Sequence, residues 1–311
     1  MEGSKIRGIG GDEKNHNISE IVPVADVVVK QIRRVFPLRN TLDIVHTFIF
    51  FSVHSLCLFA PFTFSWGVLR LALVLFVFFG LFGINISYHR NLTHKSFKLP
   101  KWLEYTFAYI GLHALQGEPI WWVSAHRYHH KFSDTVKDPH SPIIAGFWYG
   151  YTNWVFNTQN IIEKCGNHDN VKDLEMQAYY RFLRLTHFAH LIAFGALMYA
   201  LGGFPYIIWG VAVRAFLGYH TFFLANAVCH VWGHQAWKTG DSSTNNGYMA
   251  LISFGEGWHN NHHAFQSSAR HGLEWWQIDV TWYVIKLLER IGLATNVKVP
   301  SDLQKQKMLL K

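Results

Sequence analysis

The stretch WGVLRLALVLFVFFGLFGINISYHRNLTH, residues 66–94, places a long apolar run directly before a pair of histidines. A helix needs about 20 mainly apolar residues to cross a bilayer, and residues 66–87 meet that length. The histidines that follow, His89 and His94, have the spacing H-x4-H. This combination predicts a helical membrane protein whose chemistry lies at the end of a helix.

Two further histidine clusters share one spacing. His126-Arg-Tyr-His-His130 and His259-Asn-Asn-His-His263 both read H-x2-H-H. Residues three or four apart lie on one face of a helix, so each cluster presents three imidazoles towards one point. Neutral imidazole is the commonest protein ligand for first-row transition metals. Together with His230, the cluster histidines are too many for one ion but suit two.

The composition excludes an ordinary soluble domain. Hydrophobic residues make up 50% of the 311-residue chain and charged residues only 15%, whereas soluble proteins average about 25% charged residues. The net charge of +8 belongs to scattered basic residues beside apolar spans, so we predict no nucleic-acid partner. Cys57, Cys165 and Cys229 form no CxxC pair, which predicts buried thiols without a disulfide framework.

Four membrane spans are predicted, at about residues 42–60, 66–87, 187–203 and 206–229, in two hairpins. The turns, residues 61–65 and 202–205, carry no charge. Basic residues lie on the other side, namely Arg33, Arg34, Arg39, Arg90, Lys95, Lys98, Arg127, Lys131, Arg181 and Arg184. The positive-inside rule therefore predicts that both termini and all the histidine clusters are cytosolic.

One apolar segment, residues 102–123, is predicted not to span. It contains Glu104, His113, Gln116 and Glu118, and a true span there would put the first and second clusters on opposite faces of the membrane. We expect an amphipathic or re-entrant segment instead. Within the spans, Arg70 is expected to reach towards the membrane surface, because a charge inside the bilayer is costly. The sequence assigns no role to Arg214.

The ends of the chain differ from the middle, residues 41–295. Residues 1–20 lack the apolar core of a signal peptide, and we expect a tail there. Residues 21–40 mix a Val/Ile-rich face with basic residues, which favours either a segment on the membrane surface or a short soluble helix. Residues 296–311 are predicted to be a cytosolic tail.

The motifs occur in a familiar order. HRNLTH (89–94), HRYHH (126–130), NAVCH (226–230) and EGWHNNHHAF (256–265), with two hairpins at these positions, resemble the membrane fatty-acyl desaturases of the stearoyl-desaturase type. The resemblance covers about residues 40–295 and is greatest to the plant and cyanobacterial Δ9 acyl-lipid branch. It implies an all-α integral membrane protein whose four spans carry a cytosolic helical cap with two iron ions.

Carried over to this sequence, the family's metal ligands fall on His89, His94, His126, His129, His130, His230, His259, His262 and His263, with Asn226 binding through water. A helix-packing role is the alternative for Asn226. Removing hydrogen from an unactivated methylene needs a strong oxidant obtained from O2 through a redox metal, and zinc has no redox chemistry. Glu256, three residues before His259, could also ligate. The resemblance implies an all-nitrogen shell and a structural role for Glu256.

Other residues have supporting roles. Ligating imidazoles need an acceptor for their second ring nitrogen, and Asp134, Asp138 and Glu256 are the candidates. His140 could also support the ligands. The remaining histidines are predicted not to be ligands, and His16, His168, His187 and His271 are expected at the surface or the membrane interface. Trp121 and Trp122 are candidates to line an acyl tunnel, with membrane-interface anchoring as the alternative.

The molecule to which the acyl chain is attached, its carrier, is predicted from two uncharged stretches beside the second cluster. Acyl-CoA members of the family carry basic residues beside the second cluster, but residues 122–125 and 141–145 here are uncharged, so CoA phosphates would lack partners. This favours glycerolipid-linked chains over acyl-CoA. The chain has no HPGG haem-binding segment and no flavin or nicotinamide fingerprint, so we expect a separate donor, cytochrome b5 with its reductase, at the endoplasmic reticulum.

Two other classes of function stay open on the sequence. A di-iron lipid hydroxylase or oxidase would use the same scaffold and the same first hydrogen abstraction. A histidine-rich metal transporter or receptor should place its ligands near the bilayer midplane, whereas these clusters lie at or beyond the predicted helix ends.

Overall fold

The computed structural model describes residues 40–166 and 168–309, and throughout these residues the chain is helical without a β-strand. The predicted tail at 1–20 and nearly all of the predicted surface segment at 21–40 lie outside the described residues. Isolated bridges between single residues, such as Lys98 with Thr295, tie loops together. The all-α prediction is confirmed for the described part of the chain.

The α-helices are α1 Thr41–Cys57, α2 Trp66–Val77, α3 Lys101–Leu112, α4 Pro119–Phe132, α5 Pro142–Ala145, α6 Phe147–Tyr151, α7 Thr158–Cys165, α8 Lys172–Glu175, α9 Ala178–Ile207, α10 Arg214–Val228, α11 Gly247–Ile252, α12 His259–Ala264, α13 Val280–Arg290 and α14 Asp302–Met308. Two π-helical segments are Phe78–Thr93 and Ile208–Val213. Short 3-10 turns lie at Pro61–Thr63, Asn153–Phe156 and Asp169–Val171.

The quoted stretch forms one helix of 28 residues, Trp66–Thr93, which is long and apolar enough to cross a membrane. Its start is capped by Ser65, whose side chain accepts a hydrogen bond from Val68 N at 3.3 Å. From Phe78 onwards the helix widens to π-helical geometry. Such widening is frequent at functional sites, and here it ends at the first histidine cluster.

A second long helical run, from Ala178 to Val228, also qualifies as a membrane span by length and composition. It is not straight, because Gly202 and Gly203 leave the helical conformation and Gly203 has a φ of +64°. The Arg214 guanidinium lies 5.4 Å from the Phe194 ring, although 20 residues of straight helix would separate them by about 30 Å. The chain therefore reverses at the turn predicted for residues 202–205.

The two turns lie side by side. Trp209, just after the second turn, donates its indole N–H to Thr63 Oγ1 in the first turn at 3.1 Å. All four predicted spans fall on helices, including the shorter apolar α1. Four membrane crossings remain a prediction, because within the described residues only two helical runs are long and apolar enough to span a membrane.

Residues 102–123 do not form one helix. α3 ends at Leu112 and α4 begins at Pro119, and the connection contains Leu115 and Gly117 at positive φ. α3 lies directly on the π segment: a Cβ on Gly83 would stand 2.5 Å from the Gly111 Cα. This backbone contact brings α4, with the second histidine cluster, beside the first cluster.

The three cysteines are free. Cys165 and Cys229 are buried as predicted. Cys57 is only half-buried, because it ends α1 close to the exposed turn, and the prediction of a buried thiol there is wrong.

Candidate metal centre

The predicted imidazoles converge into two groups. The first contains His89, His94, His126, His130 and His262, and the second His129, His230, His259 and His263. Within each group the ligand atoms lie within 4.8 Å of one another. The second and third clusters are both divided between the groups, because the histidines four residues apart share one face of α4 or α12 and the third histidine lies on the neighbouring face. The prediction that each of these clusters presents three imidazoles towards one point is therefore wrong.

The spacing of the ring nitrogens fits bound metal ions. In the first group His262 Nε2 lies 3.0 Å from His89 Nε2 and 2.9 Å from His130 Nε2. In the second, His259 Nε2 lies 3.1 Å from His230 Nε2. Nitrogen ligands about 2 Å from one ion have neighbours about 3 Å away. The buried Nε2 of His94 has no hydrogen-bond partner among the described residues, which suits a metal ligand.

Carboxylates hold the opposite nitrogen of several imidazoles. Asp134 Oδ2 lies 2.9 Å from His230 Nδ1, and Asp138 Oδ2 lies 2.9 Å from His129 Nδ1. Glu256 Oε2 is 2.8 Å from His89 Nδ1. The two aspartate hydrogen bonds place the proton on Nδ1 and leave Nε2 free as the metal ligand, whereas Glu256 Oε2 is close to His89 without hydrogen-bond geometry. These three acids are those proposed from the sequence as acceptors.

A fourth carboxylate was not predicted. Asp241 Oδ2 accepts a hydrogen bond from His263 Nδ1 at 2.7 Å. Its other oxygen accepts from the hydroxyls of Thr239 and Ser243 at 2.6 and 2.5 Å. Asp241 lies 22 residues before His263 in an irregular loop, so no helical spacing connects the two. The sequence offered one signal for Asp241, namely an acid among small polar residues in the stretch between His230 and the third cluster.

His271 is fully buried, and the prediction that it lies at the surface or the membrane interface is wrong. Its ring stacks on that of His262 at 4.3 Å, and its Nδ1 lies 3.0 Å from Glu256 Oε2. The loop after α12 folds back because Asp279 accepts a hydrogen bond from the His271 backbone N–H at 2.7 Å. The buried Arg90 clamps this loop by donating to both Asp279 and Glu256.

His140 and Asn226 also face the site. The His140 ring stacks on that of His129 at 4.4 Å, and its backbone N–H donates to Asp138 Oδ1 at 3.0 Å. Asn226 lines the same cavity as His89 and His259. His140 therefore supports both the imidazole and the carboxylate of one predicted ligand pair.

Electrostatics favour neutral imidazoles and ionised acids. Burial and the neighbouring histidines hold the pKa values of His130 and His262 well below the usual range. Burial alone would raise the pKa of Asp134, but the hydrogen bond and charge of His230 lower it to about 2. His129 lowers the pKa of Asp138 in the same way, and its own pKa is raised by Asp138 despite burial. Burial thus favours the neutral form of ligands such as His130 and His262. Asp138 instead favours the protonated form of His129, which would have to release a proton to bind an ion.

Two connected cavities lie against the histidines. The first is lined by His89, His126, His259 and Trp122, and is called the metal-facing cavity below. The second shares Trp121, Trp154 and Phe223 with it and reaches His46 and His187; it is called the outer cavity. An aromatic passage therefore leads past the histidine groups, and both candidate tunnel residues, Trp121 and Trp122, line it.

A family model described as fatty acid desaturase matches residues 63–295. The chain belongs to the fatty acid desaturase family. An acyl-CoA 5-desaturase of Anemone leveillei is 59% identical to this desaturase over 93% of this chain and 91% of that protein. A chloroplastic palmitoyl-monogalactosyldiacylglycerol delta-7 desaturase of Arabidopsis thaliana is 54% identical over 92% of this chain and 78% of that protein. Delta-9 acyl-lipid desaturase 1 of Arabidopsis thaliana is 54% identical over 86% and 88%.

The resemblance stated from the motifs is confirmed. This desaturase is an oxidoreductase that acts on acyl chains with O2, and its histidine-rich site stands beside a cavity with aromatic residues in its wall. The relatives differ in bond position and in the carrier of the acyl chain, so neither follows from family membership alone.

Proposed function

We propose that the desaturase holds two iron ions, one in each histidine group. The proposed ligands are His89, His94, His126, His130 and His262 for one ion and His129, His230, His259 and His263 for the other, with Asn226 reaching an ion through water. The observation that carries this proposal is the convergence of the nine imidazoles into two groups with Nε2 atoms about 3 Å apart.

Bound iron supplies the redox chemistry that turns O2 into an oxidant for two adjacent methylenes. Two hydrogens leave the acyl chain, and with two electrons and two protons from outside, O2 becomes two waters. The protein's own residues orient the reactants. Asp134, Asp138 and Asp241 fix the tautomers of three imidazoles and Glu256 lies against a fourth, while Trp121 and Trp122 line the cavity beside them.

The proposed product has a cis double bond at Δ9 of a lipid-linked chain. The delta-9 acyl-lipid relative supports the position and the carrier. The uncharged stretches 122–125 and 141–145 support the carrier independently, because CoA phosphates would find no basic partner there. Other relatives are named for a CoA ester or for other bond positions. The bond position and the carrier must therefore be determined by experiment.

Electrons come from a separate donor in this proposal, cytochrome b5 with its reductase, at the cytosolic face of the endoplasmic reticulum. The net charge of +8 would speed encounter with an acidic donor. Both termini and the histidine groups lie on the cytosolic side, which agrees with the uncharged turns at 61–65 and 202–205.

The test is a fatty-acid profile, with double-bond positions, of yeast that lacks its own desaturase and expresses this chain. His129→Ala removes one proposed ligand, and His234→Ala, at an exposed histidine, is the matched control. We expect a new monoenoic acid from the unchanged chain and from His234→Ala only. The same product from His129→Ala would overturn the ligand assignment, and a hydroxylated product would favour a hydroxylase.

A further inference from the structure

A third cavity adjoins the metal-facing cavity. It shares Gln116 and Phe222 with the metal-facing cavity. The rest of its wall comes from Phe76, Phe79, Gly80, Ala114, Arg214 and Gly218. All of these except Phe76 are buried, so this space, called the closed cavity, extends the acyl passage into the interior.

The two ends of the passage differ in exposure. The outer cavity is lined mainly by half-buried residues, among them His46 of α1 and His187 of α9. An acyl chain is attached to a bulky polar carrier at one end and finishes in a methyl group at the other. Only the outer cavity can admit the carrier end, so the methyl end belongs in the closed cavity.

Arg214 forms the floor of the closed cavity. Its side chain is 2% exposed, and it donates from Nε to Gly210 O at 3.0 Å and from Nη1 to His113 O. Its guanidinium lies 4.6 Å from the centre of the Phe79 ring and 5.4 Å from that of Phe194. The face of an aromatic ring attracts a cation, so the rings of Phe79 and Phe194 help to hold the guanidinium in place.

No carboxylate within the described residues forms an ion pair with Arg214. The carbonyls and the rings therefore hold the charge. A hydrocarbon chain that pushed past Arg214 would break these contacts and leave a buried charge without partners, which is costly. Arg214 is thus a rigid stop for an apolar chain.

Gly218 lies one helical turn beyond Arg214 on the same face of α10. A Cβ at Gly218 would meet no atom within 4 Å, so the space beside it is open. By contrast, a Cβ at Gly80 on the opposite wall would meet the Phe222 ring at 2.9 Å. The missing side chain at Gly218 therefore accounts for room that an acyl chain can use.

We propose that Arg214 and Gly218 set the longest acyl chain that the desaturase accepts, Arg214 as the floor and Gly218 as the open wall. They are specificity-determining residues and take no part in the chemistry. This inference rests on the proposed function, since it assumes that the acyl chain lies along the histidine groups.

The experiment compares chain lengths of the monoenoic acids made in the same yeast, supplied with saturated acids of several lengths. Gly218→Leu should shift the ratio of long to short products towards short by about tenfold or more, as misfit by a methylene does in an apolar pocket. The bond position counted from the carboxyl carbon should not change. Gly195→Leu is the matched control, because Gly195 in α9 also faces open space but lines none of the three cavities.

A shorter series, Gly218→Ala and Gly218→Val, keeps the test decisive if the leucine variant does not fold, and size-exclusion profiles identify the folded members. An unchanged ratio in every folded, active member would overturn the proposal. So would a shift of bond position from the carboxyl end, since the carrier end would then occupy the closed cavity. Arg214→Gln, with a shorter side chain, should move the ratio towards longer chains. No monoenoic product from the unchanged chain would instead count against the proposed function.

Discussion

The carboxylates around the histidine groups differ in how many partners hold them. Glu256 is fixed by Arg90 and contacts both His89 and His271. Asp241 is fixed only by small hydroxyl side chains and loop backbone, and it serves His263 alone. At the scale of single residues, Asp241 is therefore the acid whose removal should affect one imidazole and little else.

Asp241→Asn should lower metal retention or activity by about 10–100-fold, the usual effect of losing a partner of a ligating histidine. An amide can place its NH2 group against Nδ1 and reverse the tautomer of His263. Iron per chain after purification, together with monoene formation, measures the effect. Asp302→Asn, at an exposed acid of α14, is the control, and equal iron content in the two variants would contradict the assigned role.

The acids also predict a pH dependence. The pKa of Asp134 falls from 3.8 to about 2 on folding, so the folded state binds fewer protons than the unfolded state in this range. Its contribution to stability is full above about pH 4 and is lost as the pH falls through about 2. Thermal unfolding in detergent should show this loss, and Asp134→Asn should flatten the slope. If Asp134→Asn left the dependence of stability on pH unchanged, the loss of stability in acid would come from other groups.

The residues of the site could be predicted in part. Asp134, Asp138 and Glu256 lie within a few residues of a histidine cluster, so proximity along the chain was enough to propose them. Asp241 and His271 reach the site through irregular loops whose course depends on tertiary contacts such as His271 N with Asp279. Periodicity carries no information about such loops.

At the scale of elements, apolar runs and glycine-proline turns predicted the long helices and the reversal near residues 202–205. The contact between the π segment and α3 was not predictable, because it depends on two glycines from different helices. Gly83 and Gly111 allow the backbones to touch, and a Cβ on Gly111 would stand 2.4 Å from the Tyr88 ring. This contact sets the distance between the first and second histidine clusters.

Gly83→Ala should destabilise the protein by about 1–3 kcal/mol, the usual cost of overpacking, and should separate the two clusters. Gly195→Ala, in a helix with open space around it, should be neutral or stabilise by up to about 1 kcal/mol, since alanine is the better helix former. Thermal unfolding in detergent compares the two variants. A Gly83→Ala protein as stable as the Gly195→Ala protein would show that α3 can shift without cost.

At the scale of the whole molecule, the two uncharged turns meet at one end through Trp209 and Thr63, and the histidine groups lie at the helix ends away from these turns. The positive-inside bias predicted this arrangement from charges alone. Sequence could not show whether α1, with 17 residues, crosses the full membrane, because its length lies at the lower limit for a span.

Glycosylation mapping tests the topology. Acceptor sites inserted into the turn at 61–65 or at 202–205 should be glycosylated in microsomes, since both turns are predicted to face the lumen. A site appended after residue 311 should stay unmodified. Modification at the C-terminus, or at only one of the two turns, would contradict the four-span arrangement.

The charged side chains around the histidine groups carry a net negative charge. Arg90 and Asp279 form a buried pair whose charges cancel, which leaves Asp134, Asp138, Asp241 and Glu256 as four negative charges among neutral imidazoles. Two divalent ions would make the loaded centre electroneutral, so a hydrocarbon chain beside it would not face an uncompensated ion in a medium of low dielectric constant. The first ion would meet four negative charges, whereas the second would meet only the two that remain and the repulsion of the first ion, so the two ions should bind with unequal affinity.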